Sequence, residues 1–115
     1  MNTSSFVQDL LMALATLPLV TKVDLQPEGP VVRGRAFVNP ELFLSFYFNS
    51  VTQTQAFALI KHDQRIWGID FDAVRGWHLH PVNDPTNHLP IEPLSVPAIV
   101  EQLGHALDTL TRLLQ

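Results

Sequence analysis

A chain of 115 residues is long enough for one domain with a buried core, and 46% hydrophobic against 16% charged content leaves apolar surface over for a partner or for self-association. The net charge of −4 excludes a generally basic nucleic-acid-binding surface, although six of the seven basic residues (Lys22, Arg33, Arg35, Lys61, Arg65 and Arg75) fall between 22 and 75, where six acids balance them. The absence of cysteine excludes disulfides, thiolate zinc sites and a cysteine nucleophile.

No charged leader precedes the first apolar run. That run, 10–20, is broken by Thr16 and Pro18 and falls short of the ~20 residues a bilayer span needs. A cytoplasmic chain without membrane segments is expected. Ser5 and Gln8 have the spacing of a capping box, and Phe6, Leu10, Leu14 and Leu17 follow at helical intervals. The pattern predicts a helix over 5–16, ended by Pro18.

Strands are predicted over 20–26 and 31–38, separated by a turn at Pro27-Glu28-Gly29-Pro30. Arg33 and Arg35 share one face of the second strand, and Gly34 between them marks a bulge or a close backbone approach. In 42–49, Leu42, Leu44, Phe46 and Phe48 alternate onto a core face, leaving Phe43, Ser45, Tyr47 and Asn49 on the other. The next strand, 54–61, is apolar on both faces and reads as central. A short turn at 62–64 returns the chain through 65–70, and after a loop over 71–74 the strand 76–80 follows.

Residues 81–94 contain four prolines and no glycine or serine, a composition of ordered coil. Ser95 then caps a second helix with Pro97 in its first turn. Its apolar stripe is Ile99, Leu103, Leu107 (or Ala106), Leu110 and Leu114. Gly104 within it implies close packing, since glycine there costs ~1 kcal/mol against alanine. The expected fold is α+β: one mostly antiparallel sheet of five to six strands with both terminal helices on one face, forming a single domain over 1–115.

Chemistry concentrates in Arg75-Gly76-Trp77-His78-Leu79-His80-Pro81. Strand alternation sends Trp77 and Leu79 to the core and His78 and His80 to the opposite, solvated face. A histidine pair can supply a general acid and a general base near neutral pH, with Asp70 beside it and Arg65 or Arg75 holding phosphate charge. Alternatively His78 and His80 are metal ligands, joined by His88 or by a carboxylate such as Asp70 or Glu92. His88 lies either on a surface turn or on a segment folded back toward His80. Asp70 has a structural alternative in bonding the backbone of the following turn. His105 reads as structural or surface. No phosphate-binding glycine loop, nucleophile elbow or His-Glu-x-x-His motif is present, and no cofactor is expected.

The succession Phe-Tyr-Phe-Asn (46–49), Phe-Ala-Leu-Ile-Lys (57–61), Arg-Ile-Trp-Gly-Ile-Asp (65–70), Gly-Trp-His-Leu-His-Pro (76–81), His88 and Pro93-Leu94-Ser95 resembles the TumE-like toxins of prokaryotic toxin–antitoxin modules. The resemblance spans roughly 31–114. It implies a cytoplasmic prokaryotic protein with a cognate antitoxin partner and RNA as substrate, while the low charge and high hydrophobicity leave a homo-oligomer as the other expectation. The corresponding reaction is metal-independent cleavage by attack of a ribose 2′-OH on the adjacent phosphate. A non-enzymatic interaction module and a histidine-based metal hydrolase are the alternatives.

Overall fold

The computed structural model describes residues 1–113; Leu114, the last member of the predicted stripe, lies outside them. Its element order is α1 (Thr3–Leu14), β1 (Lys22–Glu28), β2 (Val31–Asn39), β3 (Leu42–Asn49), β4 (Gln55–Lys61), β5 (Gln64–Asp72), β6 (Gly76–His80), β7 (Leu89–Pro90) and α2 (Val96–Leu113). The strands form one antiparallel sheet in sequence order, an open meander with β4 at its centre. Short connections enforce this pairing, because a parallel crossover needs a dozen or more residues. The α+β expectation holds, with seven strands rather than five to six.

Several boundaries differ for local reasons. The helix starts earlier because Asn2, not Ser5, is its cap. The Asn2 Oδ1 accepts from the Ser5 amide at 2.8 Å, and the Ser5 hydroxyl receives the Asn2 amide at 3.2 Å. Pro27 belongs to β1 rather than to the turn, opposite Val32. An edge strand tolerates the missing N–H that a central strand would not. Phe71 and Asp72 extend β5 instead of forming a loop, pairing with Trp77 and Gly76. His62 and Asp63 both take positive φ in the β4–β5 turn, the geometry of a tight hairpin.

One face of the sheet carries the core. Phe6 stacks on Phe48 with ring centroids 4.6 Å apart and tilts against Phe46 and Phe57. Ile99, Val100 and Leu103 of α2 are buried in the same cluster as Leu44, Leu59 and Ile69. Gly34 is a close approach and not a bulge. A Cβ there would collide with the Asp24 carbonyl and lie 2.7 Å from the Phe46 ring, while the register shift falls between Phe37 and Asn39. Gly104 has its packing reason too, since a Cβ would come 3.2 Å from Leu17. No helix among the described residues is long and apolar enough to cross a membrane.

Candidate metal centre

The sheet register assembles the site on the face opposite the helices. Phe46, Phe57, Ile69 and Leu79 pair in succession on the core side. The neighbouring rows therefore project outward: Tyr47, Ala56, Asp70 and His78 in one, Ser45, Ala58, Gly68 and His80 in the next. Asp70 stands directly across from His78. On the other side of β6, His78 faces Pro90 and Leu79 faces Leu89. One step further in that register sets His88 beside His80.

The faces are as alternation predicts, but the exposure is not. His78 is 4% exposed and His80 1%. The Pro-rich segment covers them. Backbone bonds from Asp84 to Pro81 and from Asn87 to Asp84 curl it through two turns, and Leu89–Pro90 then docks on β6 as the seventh strand. The Ile91 amide bonds the Trp77 carbonyl at 3.1 Å and closes the flap. A segment expected to be coil thus supplies both a roof and a third histidine. Ring centroids lie 5.2 Å apart for His78 and His80, 5.4 Å for His78 and His88, and 4.5 Å for His80 and His88. One nitrogen from each of the three imidazoles lies within 4.8 Å of the other two.

Hydrogen bonds orient two of these rings. The His80 Nδ1 is 3.1 Å from the Pro85 carbonyl, and the His78 Nδ1 is 3.2 Å from the Gly76 carbonyl. A carbonyl only accepts, so each Nδ1 carries hydrogen; Nε2 then holds a lone pair while the ring is neutral and a hydrogen directed at Asp70 when it is charged. Both Nε2 atoms approach the same carboxylate oxygen. Asp70 Oδ2 is 3.2 Å from His80 Nε2 and 3.4 Å from His78 Nε2. The His78 Nε2 is buried and not aligned for a hydrogen bond with any partner. Burial, reinforced by the charge of Arg65, holds the His80 imidazole below its ordinary value, against an opposing pull from Asp70.

With both rings neutral the three acceptors repel one another, and either a proton on one ring or a metal ion between them relieves this. A tetrahedral ion with bonds of about 2.0–2.1 Å sets its ligand atoms about 3.3–3.4 Å apart, which matches the two Asp70–histidine separations. The backbone carbonyls behind His78 and His80 are the usual orienting partners of metal-bound imidazoles. His88 is exposed and Asp70 half-buried, so the site opens to solvent on their side.

The remaining sequence candidates divide. Arg65, exposed on β5 opposite Ile60, is near enough to bias His80. Arg75 is drawn away to the β5–β6 turn, where its Nε bonds Asp72 Oδ2 at 3.1 Å and its amide bonds Asp72 Oδ1 at 2.7 Å. Asp72, rather than Asp70, bonds the turn backbone. Glu92 is not in the cluster, His105 is exposed on α2, and His62 pairs with Glu41 at 3.2 Å. Comparison with protein-family models, curated proteins and solved structures found no match.

Proposed function

We propose that the chain is a metal-dependent hydrolase in which His78, His80, His88 and Asp70 hold one divalent transition-metal ion. The observation that carries this is the convergence of the two inward Nε2 lone pairs on the Asp70 carboxylate, one of them without a hydrogen-bond partner. Three imidazoles and one carboxylate suit zinc, manganese, iron or nickel. Such an ion supplies Lewis acidity and an activated water. The chain's own part is to hold His78 and His80 in one tautomer through the Gly76 and Pro85 carbonyls, and to exclude water from one side with the 81–90 flap.

Elemental analysis of protein purified without chelator tests the reading. One ion per chain is expected, lost in His78→Ala and His80→Ala. Metal-free protein that also fails to take up zinc, manganese, nickel or cobalt in titration would overturn it.

A second reading has its own support. The His80–Asp70 contact, with Arg65 nearby, fits a metal-independent acid/base site acting on RNA, as the TumE-like resemblance implies. RNA cleavage that persists in chelator and disappears in His80→Ala would favour it.

A further inference from the structure

The outer sheet face has a built approach to the metal centre. The row Arg35, Ser45, Ala58, Gly68, His80 crosses five strands, and the row Arg33, Tyr47, Ala56, Asp70, His78 runs beside it. Between the arginines and the histidines every floor position on β4 and β5 other than Asp70 is alanine or glycine. Bulkier side chains bound it: Tyr47 within the second row on β3, Phe43 and Ile60 along the outer side of the first. This strip of small side chains makes a shallow trough floor that leads from the cleft at the arginines to the histidines and their flap.

The other end is cationic. The Arg33 guanidinium lies over the Tyr47 ring at 5.7 Å and that of Arg35 over Phe43 at 5.3 Å, so the two flank Ser45. Stacking on a ring orients a guanidinium and leaves its N–H edge free. Neither arginine is within ion-pair distance of a carboxylate among the described residues; Asp24, which stands across from Arg35 and lines the same cleft with Gln26, pairs with Lys22 instead, and Arg75 pairs with Asp72. Two guanidiniums and a hydroxyl around one point offer more donors than a carboxylate's two oxygens can use; a phosphate has three acceptor oxygens and up to two charges.

Building on the metal reading, we infer that this trough binds a small phosphorylated substrate, with its phosphate between Arg33 and Arg35 above Ser45 and its reactive group at the histidine centre. The span from Ser45 on β3 to the histidines on β6 is three strand spacings, about 14 Å, the reach of an extended mononucleotide-sized molecule. A long polyanion is disfavoured because Asp24, Glu28 and Asp72 alternate onto the same face as the arginines.

Calorimetric titration of the full chain, as purified and after chelation, with inorganic phosphate and with a nucleoside 5′-monophosphate tests the assignment. Arg33→Ala and Arg35→Ala are each expected to weaken phosphate binding about tenfold or more with metal content unchanged. Ala58→Leu, which fills the floor, is expected to abolish monophosphate binding while phosphate alone still binds. Arginine-dependent phosphate binding by a chain that holds no metal would support the cationic end while removing the metal reading. Unchanged affinity in the arginine double variant overturns the inference, as does the absence of binding by either probe. Single-stranded oligoribonucleotide binding more than tenfold tighter than the mononucleotide also overturns it, and identifies the face as a nucleic-acid surface.

Discussion

His88 stands against His80 with ring centroids 4.5 Å apart, although the loop 81–87 separates them in the chain. The loop closes because β7 pairs with β6 and returns His88 to the outer face. His80 is held by the sheet and by the Pro85 carbonyl, whereas His88 is exposed and held only by its place before Leu89.

That asymmetry separates ligation from folding. His88→Ala removes an exposed ring and is expected to change metal-free stability by no more than about 0.5 kcal/mol. Metal affinity should fall by more than the roughly 10- to 100-fold lost when a group behind a ligand is removed. His80→Ala should cost about 2–4 kcal/mol in the metal-free protein as well, since it empties a buried site. Urea melts in chelator, paired with competitive zinc titrations, check both. Unaltered zinc affinity in His88→Ala would confine the ion to Asp70, His78 and His80.

Much of this was legible in the chain. Alternation along 42–49 and 76–80 assigned both faces correctly, because a two-residue period is fixed by backbone geometry. It could not give exposure. Whether an outward histidine meets water depends on what folds over it, and the flap's docking rests on two residues of strand. The signal available was the turn chemistry of Pro81-Val82-Asn83-Asp84-Pro85, bracketed by His80 and His88, which reads as a hairpin loop once the prolines are taken as turn formers rather than coil. Arg75 shows the same limit: sequence proximity to His78 says nothing of its contact with Asp72 in the β5–β6 turn.

Gly68 tests how tightly the centre is seated. A Cβ there would lie 2.8 Å from the Phe57 carbonyl and 3.6 Å from the His80 ring. Backbone cannot yield as a flexible side chain does, so Gly68→Ala should cost about 1–3 kcal/mol by displacing β4 at Phe57 from β5, on which the His80 ring rests in ordinary contact. Thermal unfolding and zinc titration should both register the change. A variant indistinguishable from the parent would show that His80 does not rest on this floor.

Arg75→Ala provides the contrast. Its partner Asp72 has a carboxyl held below its ordinary range, chiefly by the Arg75 amide, which the substitution retains. Metal content, metal affinity and any hydrolytic activity should match the parent. A specific loss of turnover at full metal occupancy would return Arg75 to the site.

The pH dependence of metal-free stability follows from His80. Its folded pKa is depressed by burial, so the unfolded chain binds the proton more readily. The His80 contribution is complete above the ordinary value of about 6.5 and is lost as pH falls from there through the folded pKa. Denaturant midpoints of chelated protein should therefore decline as pH falls below about 6.5, and less steeply in His80→Asn. Equal slopes for the two proteins would contradict the assignment.

Asp70→Asn separates the two functional readings most sharply. The substitution preserves shape, removes a charge, and replaces an acceptor facing two Nε2 lone pairs with an amide that can donate to one of them. In the metal reading the two consequences oppose each other. The metal-free protein gains, because a buried unpaired nitrogen that costs about 1–3 kcal/mol acquires a donor. The metal-bound protein loses, because an anionic ligand becomes a neutral one. Thermal midpoints should rise in chelator and fall in saturating zinc relative to the parent. If Asp70 instead holds a protonated His80 for acid/base work, removing its charge lowers stability in chelator, most of all at acidic pH, and zinc makes no difference. The sign of the midpoint shift in chelator therefore distinguishes a carboxylate that shares a cation with the histidines from one that pairs with a proton on them.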